Sequence, residues 1–198
     1  MKIFHHRINE SHRLIDIPPH DGVEIDLRSM GERIVLQHDP FLEGEDLVSW
    51  LDHWNGQELI LNVKEEGLEN RILEILKLSS IENYFFLDQS FPFMIKSLNS
   101  GNRNVAGRVS DLESIETVLG LKCNWVWLDC FLGNWKYLID AVPVLQSQGK
   151  RLCLVSPELV RTGSENEMRD LQNLIRENQL NLDAVCTKAK SMWAHYAF

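Results

Sequence analysis

Eight short runs of apolar, β-branched and aromatic residues recur along the chain, at 2–6, 23–27, 58–64, 84–88, 104–109, 125–129, 151–155 and 183–187. Near-continuous apolar runs of this length suit strands buried on both faces, as in a parallel sheet. A further run at 34–38 follows the second across Met30-Gly31-Glu32 and reads as the returning arm of a hairpin. Amphipathic stretches lie between most of the runs. Leu47, Val48, Leu51 and Trp54 mark a helix over 45–54, and Leu68, Ile72, Ile75 and Leu76 another over 68–78. Ser90 and Pro92 predict a helix start before 91–98, with Gly101 past its end. Ser110 and Asp111 open a helix over 111–119 that stops at Gly120. A helix over 135–148 ends at Gly149 and should be kinked or split by Pro143, and Ser164 caps one over 165–178. The 7–22 connection, with Pro18-Pro19, reads as loop.

Alternating strand and helix implies an α/β fold, and eight such units predict a compact (β/α)8 TIM barrel with eight parallel strands and a small hairpin extension after the second strand. A doubly wound open sheet is the structural alternative. It would call for a phosphate-binding glycine turn, and the chain has neither G-x-G-x-x-G nor G-x-x-x-x-G-K-[ST].

The 198 residues suit one domain spanning 1–198, and 44% hydrophobic with 25% charged residues is ordinary globular composition. A net charge of −9 argues against a general nucleic-acid surface, which needs a basic stripe, and against docking on an anionic membrane. It leaves room for one phosphate ester held locally by a metal ion and a few basic side chains. The N-terminus carries no long apolar segment and no run is long enough to span a bilayer, so the expected setting is cytoplasmic. Cys123, Cys130, Cys153 and Cys186 form no C-x-x-C pair and are expected to be reduced, buried thiols.

Barrel chemistry collects at the C-terminal ends of the strands. His6 ends the first run, Glu24 and Asp26 the second, and Asn62 and Lys64 the third. Residues two apart in a strand share a face, so Glu24 and Asp26 project together, spaced to hold one cation. Asp88, Ser90, Arg108, Asp129, Ser156, Glu158, Thr187 and Lys188 also sit at or just past strand ends, where loop polarity alone accounts for most such residues. Glu24, Asp26, Asn62 and Lys64 differ because they lie inside apolar runs, where burying a charge is costly unless it is paired or bound to metal.

These residues resemble a known family, the glycerophosphodiester phosphodiesterases within the phospholipase C-like phosphodiesterase barrels. The family pattern runs His-Arg-Gly, Glu-x-Asp, a hairpin ending in His-Asp, then Glu-x-Lys. This chain has His6-Arg7-Ile8, Glu24-Ile25-Asp26, His38-Asp39 and Asn62-Val63-Lys64 in that order. Gln89-Ser90-Phe91 resembles the family's Ser-Phe, and 183–187 resembles its last strand. The resemblance implies a small phosphodiester substrate. It implies that Glu24, Asp26 and Asn62 bind Ca²⁺ or Mg²⁺ through hard oxygen ligands. It implies that His6 and His38 act as general base and acid, and that Arg7 and Lys64 hold phosphoryl oxygens.

The chain departs from the pattern at Asn62, where the family has a third metal-binding Glu, at Ile8 in place of Gly, and at Lys188 in place of Asp. The family's insertion after His-Asp is nearly absent, because Asp39 runs through Pro40 to Gly44 straight into a helix. A catalytically impaired barrel serving as a phosphate-ester binding module, or a lyase that stops at a cyclic phosphate, are the competing functions. His5, His12, His20, His53 and His195 read as surface or loop residues. The apolar tail 192–198 offers a contact for an oligomer.

Overall fold

The computed structural model describes residues 1–160 and 163–194. Its strands and helices, in chain order, are β1 (Lys2–His5), β2 (Gly22–Met30), β3 (Arg33–Leu36), β4 (Glu45–Asp46), α1 (Leu47–Leu51), β5 (Glu58–Val63), α2 (Glu69–Leu78), β6 (Tyr84–Leu87) and α3 (Phe91–Asn99). There follow β7 (Ala106–Val109), α4 (Glu116–Leu119), β8 (Trp125–Leu128), α5 (Tyr137–Ser147), β9 (Arg151–Val155), α6 (Pro157–Val160), α7 (Glu165–Glu177), β10 (Ala184–Thr187) and α8 (Lys190–Trp193). All eight sequence-predicted parallel strands are present, most within a residue or two of the predicted limits. The chain divides into two compact units, Phe4–Val105 and Met1–Ile3 with Ala106–Phe198.

In the unit Phe4–Val105, β2 is the central strand. On one side it pairs in parallel with β5, which pairs in parallel with β6. On the other, Phe4 and His5 pair in parallel with Gly22 and Val23, and β3 then pairs antiparallel with the rest of β2. Gly22 is dictated by that first contact, because a Cβ there would lie 2.2 Å from the Phe4 ring. The β2–β3 hairpin turns through Gly31 and Glu32, and Gly31 takes φ 60°, a conformation that costs glycine little. Val23, Ile25 and Leu27 alternate onto one face of β2, where with Leu59, Leu61 and Val63 they pack against Leu47, Trp50, Ile72 and Leu76 of the helices. Glu24 and Asp26 fall on the opposite face.

In the other unit, β7, β8, β9 and β10 form a parallel sheet in that order, and Lys2 N–H donates to Asp183 O at 2.8 Å. Leu138, Val142 and Leu145 of α5 and Leu171 and Ile175 of α7 bury its apolar side. The four cysteines are buried thiols.

The predicted closed barrel of parallel strands is corrected. The sheet is open: among the described residues β6 ladders with β5 alone and β7 with β8 alone, and the Phe86–Val105 pairing is an isolated bridge. The first unit's sheet is also mixed, because β4 adds a second antiparallel partner to β3. Local differences have local causes. A 3-10 turn over Ser11–Asp16 occupies part of the expected loop and buries Leu14. The helix predicted from 111 begins only at Glu116, because the Asp111 carboxylate turns away to accept main-chain N–H groups of Phe131 and Leu132 at 2.8 Å. α5 passes through Pro143 unbroken, since the ring sits on the exposed side while Ala141, Val142 and Leu145 stay buried. Ser90 precedes α3 without a side-chain cap bond, whereas Ser164 caps α7 by accepting from Glu167 N. In the tail, Trp193 is buried in its own unit and donates to Ser156 Oγ at 2.8 Å. Met192 packs against the same cluster and Ala194 is exposed, while the remainder of the expected oligomer contact, including His195, falls on 195–198, outside the described residues. No helix among the described residues is long and apolar enough to cross a membrane.

Candidate active site

The non-core face of β2 carries the acidic pair, and the register of β5 brings its partners. Asp26 stands beside Asn62 in the parallel ladder, so both side chains share a face. Glu24 is 1% exposed, Asp26 0% and Asn62 6%. Every charge here therefore has to be answered nearby. Asn62 Nδ2 donates to Glu24 Oε1 at 2.7 Å, and the Arg7 main-chain N–H donates to Glu24 Oε2 at 2.7 Å. Arg7 achieves this with φ 53°, the left-handed region, at the place where the resembling family has its His-Arg-Gly turn. Lys64 Nζ lies 3.3 Å from Asp26 Oδ1 and 3.4 Å from Asp88 Oδ2, and Arg7 Nε lies 3.7 Å from Asp26 Oδ2. His6 Nε2 is 3.8 Å from Glu24 Oε2. His5 points elsewhere, to Asp21 at 2.8 Å, as strand alternation predicts.

Six of the seven sequence-predicted site residues thus meet: His6, Arg7, Glu24, Asp26, Asn62 and Lys64. His38 joins them through its main chain. Its ring Nδ1 bonds Asp39 Oδ1 at 2.8 Å, and that bond, with the charges around it, holds the Asp39 carboxyl below the usual carboxylate range. A cleft of about 160 Å³ lined by Lys64, Asp88, Gln89 and Ser90 opens beside the network. A larger one of about 730 Å³, lined by 11–19 and 53–55, contains none of these groups. Chemistry, not volume, locates this site.

Two participants are new. Asn9 forms a reciprocal pair with Asp26, Nδ2 donating to Oδ2 and Oδ1 accepting from the Asp26 main-chain N–H, both at 2.9 Å. It sits in the stretch read as loop, and nothing in its neighbours marks it. Arg28 had a signal that could have found it, because Glu24-x-Asp26-x-Arg28 continues the same strand face.

Among the described residues no group of three or more His, Cys, Asp and Glu converges as a metal site. An ion held here would have to draw its third oxygen from Asn62. Asn62 Oδ1 is buried without a hydrogen-bond partner, and buried Asp26 Oδ1 meets the Lys64 ammonium at 3.3 Å without an aligned hydrogen bond, so both are oxygens of the kind Ca²⁺ and Mg²⁺ prefer, the second shared with Lys64. The residues Glu24, Asp26 and Asn62 fit such an ion chemically, with one charge fewer than three carboxylates would bring.

Burial pushes the Glu24 carboxyl up to about 7, and the neighbouring Asp26 charge adds to the rise, against the lowering effects of Asn62, the Arg7 N–H and Lys64. A carboxyl whose folded pKa exceeds its unfolded value holds its proton more tightly when folded. The metal-free protein should therefore lose stability as pH rises from about 4.5 to about 7. Glu24→Gln removes that slope, and the Asn62 amide can turn to accept from the new amide. In chelator, Glu24→Gln is expected to match the wild type near pH 4.5 and exceed it by a few kcal/mol at pH 8 in urea unfolding. Parallel stability curves for the two proteins would show that Glu24 carries no such burden.

No family model and no curated protein matches the chain. Solved structures do. A glycerophosphodiester phosphodiesterase from Agrobacterium tumefaciens str. C58 aligns with a TM-score of 0.72 at 11% identity, over 98% of this chain and 99% of that one. One from Thermotoga maritima aligns at 0.71 and 16% identity, over 97% and 96%. The chain has the glycerophosphodiester phosphodiesterase fold. A mutant tryptophan synthase α-subunit from Pyrococcus furiosus also aligns, at 0.58 and 9% identity over 93% and 85%, so it matches less well than the glycerophosphodiester phosphodiesterases. Identities this low speak for fold, and activity has to be argued from the site.

Proposed function

We propose that this chain is a metal-assisted phosphodiesterase acting on a small, glycerophosphodiester-like diester. The observation that carries the reading is the buried set Glu24, Asp26 and Asn62 with part-buried Lys64, held beside His6 and Arg7 in the order the sequence resemblance implied. Ca²⁺ or Mg²⁺ held by Glu24, Asp26 and Asn62 would polarise a phosphoryl oxygen as a Lewis acid. Arg7 and Lys64 offset charge on the remaining phosphoryl oxygens. A neighbouring hydroxyl of the substrate attacks phosphorus and gives its proton to His6. His38 protonates the departing alcohol as the P–O bond breaks, leaving a cyclic phosphate. Water then opens the ring with the two histidines in exchanged roles. Asp39, bonded to His38 Nδ1, orients the ring and leaves Nε2 for the proton transfer.

The deciding experiment offers purified protein a panel of phosphodiesters with Ca²⁺ or Mg²⁺ and follows phosphorus by NMR. Turnover to an acyclic monoester that stops on chelation is expected. Accumulation of a cyclic phosphate identifies a lyase, and ligand binding without turnover across the panel identifies a binding module.

A further inference from the structure

We infer that Arg28 is a positioning residue for this site, a brace that sets His38 and Lys64 at once; the inference rests on the phosphodiesterase reading. Arg28 Nε and Nη2 donate to His38 O at 3.0 and 2.9 Å, and Nη1 donates to Lys64 O at 3.3 Å. The two carbonyls come from opposite sides of β2. The β3 ladder ends at Leu36 and the β5 ladder at Val63, and although Gln37 N–H and Lys64 N–H still donate to Asp26 O and Leu27 O at 3.0 Å, the His38 and Lys64 carbonyls lie past the last pairs of the sheet. A main-chain carbonyl leaving a sheet needs another donor. The planar guanidinium, 18% exposed, supplies donors to both from the strand between them. Glu65 fixes the brace in turn. Its Oε1 accepts from the Ser29 N–H at 2.9 Å and its Oε2 lies 3.9 Å from Arg28 Nη1.

His38 otherwise rests on an exposed segment, since Asp39, Pro40, Phe41 and Leu42 are all exposed and Phe41 takes φ 64°. Arg28 is thus the tie that links the proposed acid to the proposed phosphate-binding lysine. Lysine is a poor replacement, because a single ammonium point lacks the fixed planar fork whose three nitrogens here make three bonds at once.

Two variants test this, Arg28→Met and Arg28→Lys, each with two substrates. An alkyl diester needs its leaving alcohol protonated, whereas a p-nitrophenyl diester does not. Misplacing the acid should lower kcat for the alkyl ester by about tenfold to a hundredfold, with KM within about threefold and a smaller loss on the nitrophenyl ester. Arg28→Lys should fail to restore the alkyl activity. Amide hydrogen exchange in Arg28→Met should rise at Asp39 and Glu65 by about tenfold or more while β9 is unchanged. Equal loss on both esters, full rescue by lysine, or unchanged exchange at Asp39 and Glu65 would overturn the inference. If the wild type turns over neither ester, the hydrolase reading fails, and the exchange measurement alone still decides whether Arg28 braces the two segments.

Discussion

His38→Ala and His6→Ala are each expected to lower kcat on an alkyl phosphodiester by roughly a hundredfold to ten-thousandfold, the usual worth of a positioned acid or base. The two losses should differ in kind. On a p-nitrophenyl diester the leaving group departs unprotonated, so His38→Ala should recover most of its activity while His6→Ala should not. Both variants should fold, because His38 is part-exposed with its Nδ1 on Asp39, and His6 is not part of the apolar cluster beneath β2. Circular dichroism and urea midpoints check that. Unchanged kcat in both variants would remove acid–base catalysis by histidine from the reading altogether.

Lys64→Met is expected to destabilise the protein by on the order of 3 kcal/mol, because it leaves the Asp26 carboxylate, 0% exposed, without its nearest cation. Asn9 and Arg7 remain and limit the loss. Adding Asp26→Asn should recover most of the stability and none of the activity, a coupling that a double-mutant cycle in urea measures directly. Additive losses would mean that Lys64 and Asp26 stabilise the fold independently. Saturating Ca²⁺ or Mg²⁺ should narrow the gap between Lys64→Met and the wild type, because a bound ion replaces the missing charge beside Asp26.

The sequence made strand positions legible because a buried parallel strand is a local signal. The run Val23-Glu24-Ile25-Asp26-Leu27 even announced which side chains would face the core and which the site, from a period of two. It could not show whether ladders close. That depends on how Phe86 meets Val105, a matter of twist and packing over many residues, and it yields one bridge rather than a ladder. Asp111 misled for a related reason. A carboxylate after a serine is a helix-start signal, but main-chain donors some twenty residues on offered it more. Asn9 was illegible because its meaning lies wholly in Asp26, seventeen residues away. Arg28 was legible by spacing, yet its partners are carbonyl oxygens, which no side-chain pattern records.

The answering of Glu24 and Asp26 by Lys64 and Arg7 has a further consequence for how the proposed diester substrate would arrive. A chain of net charge −9 repels an anion at long range, but salt confines that field to about 8 Å at physiological ionic strength. Inside that distance the approaching phosphate meets a locally balanced patch whose cations are already aimed and whose carboxylates are already engaged. Capture is then governed by short-range fit rather than steering. Raising salt should leave association nearly constant or quicken it, where a basic funnel would slow.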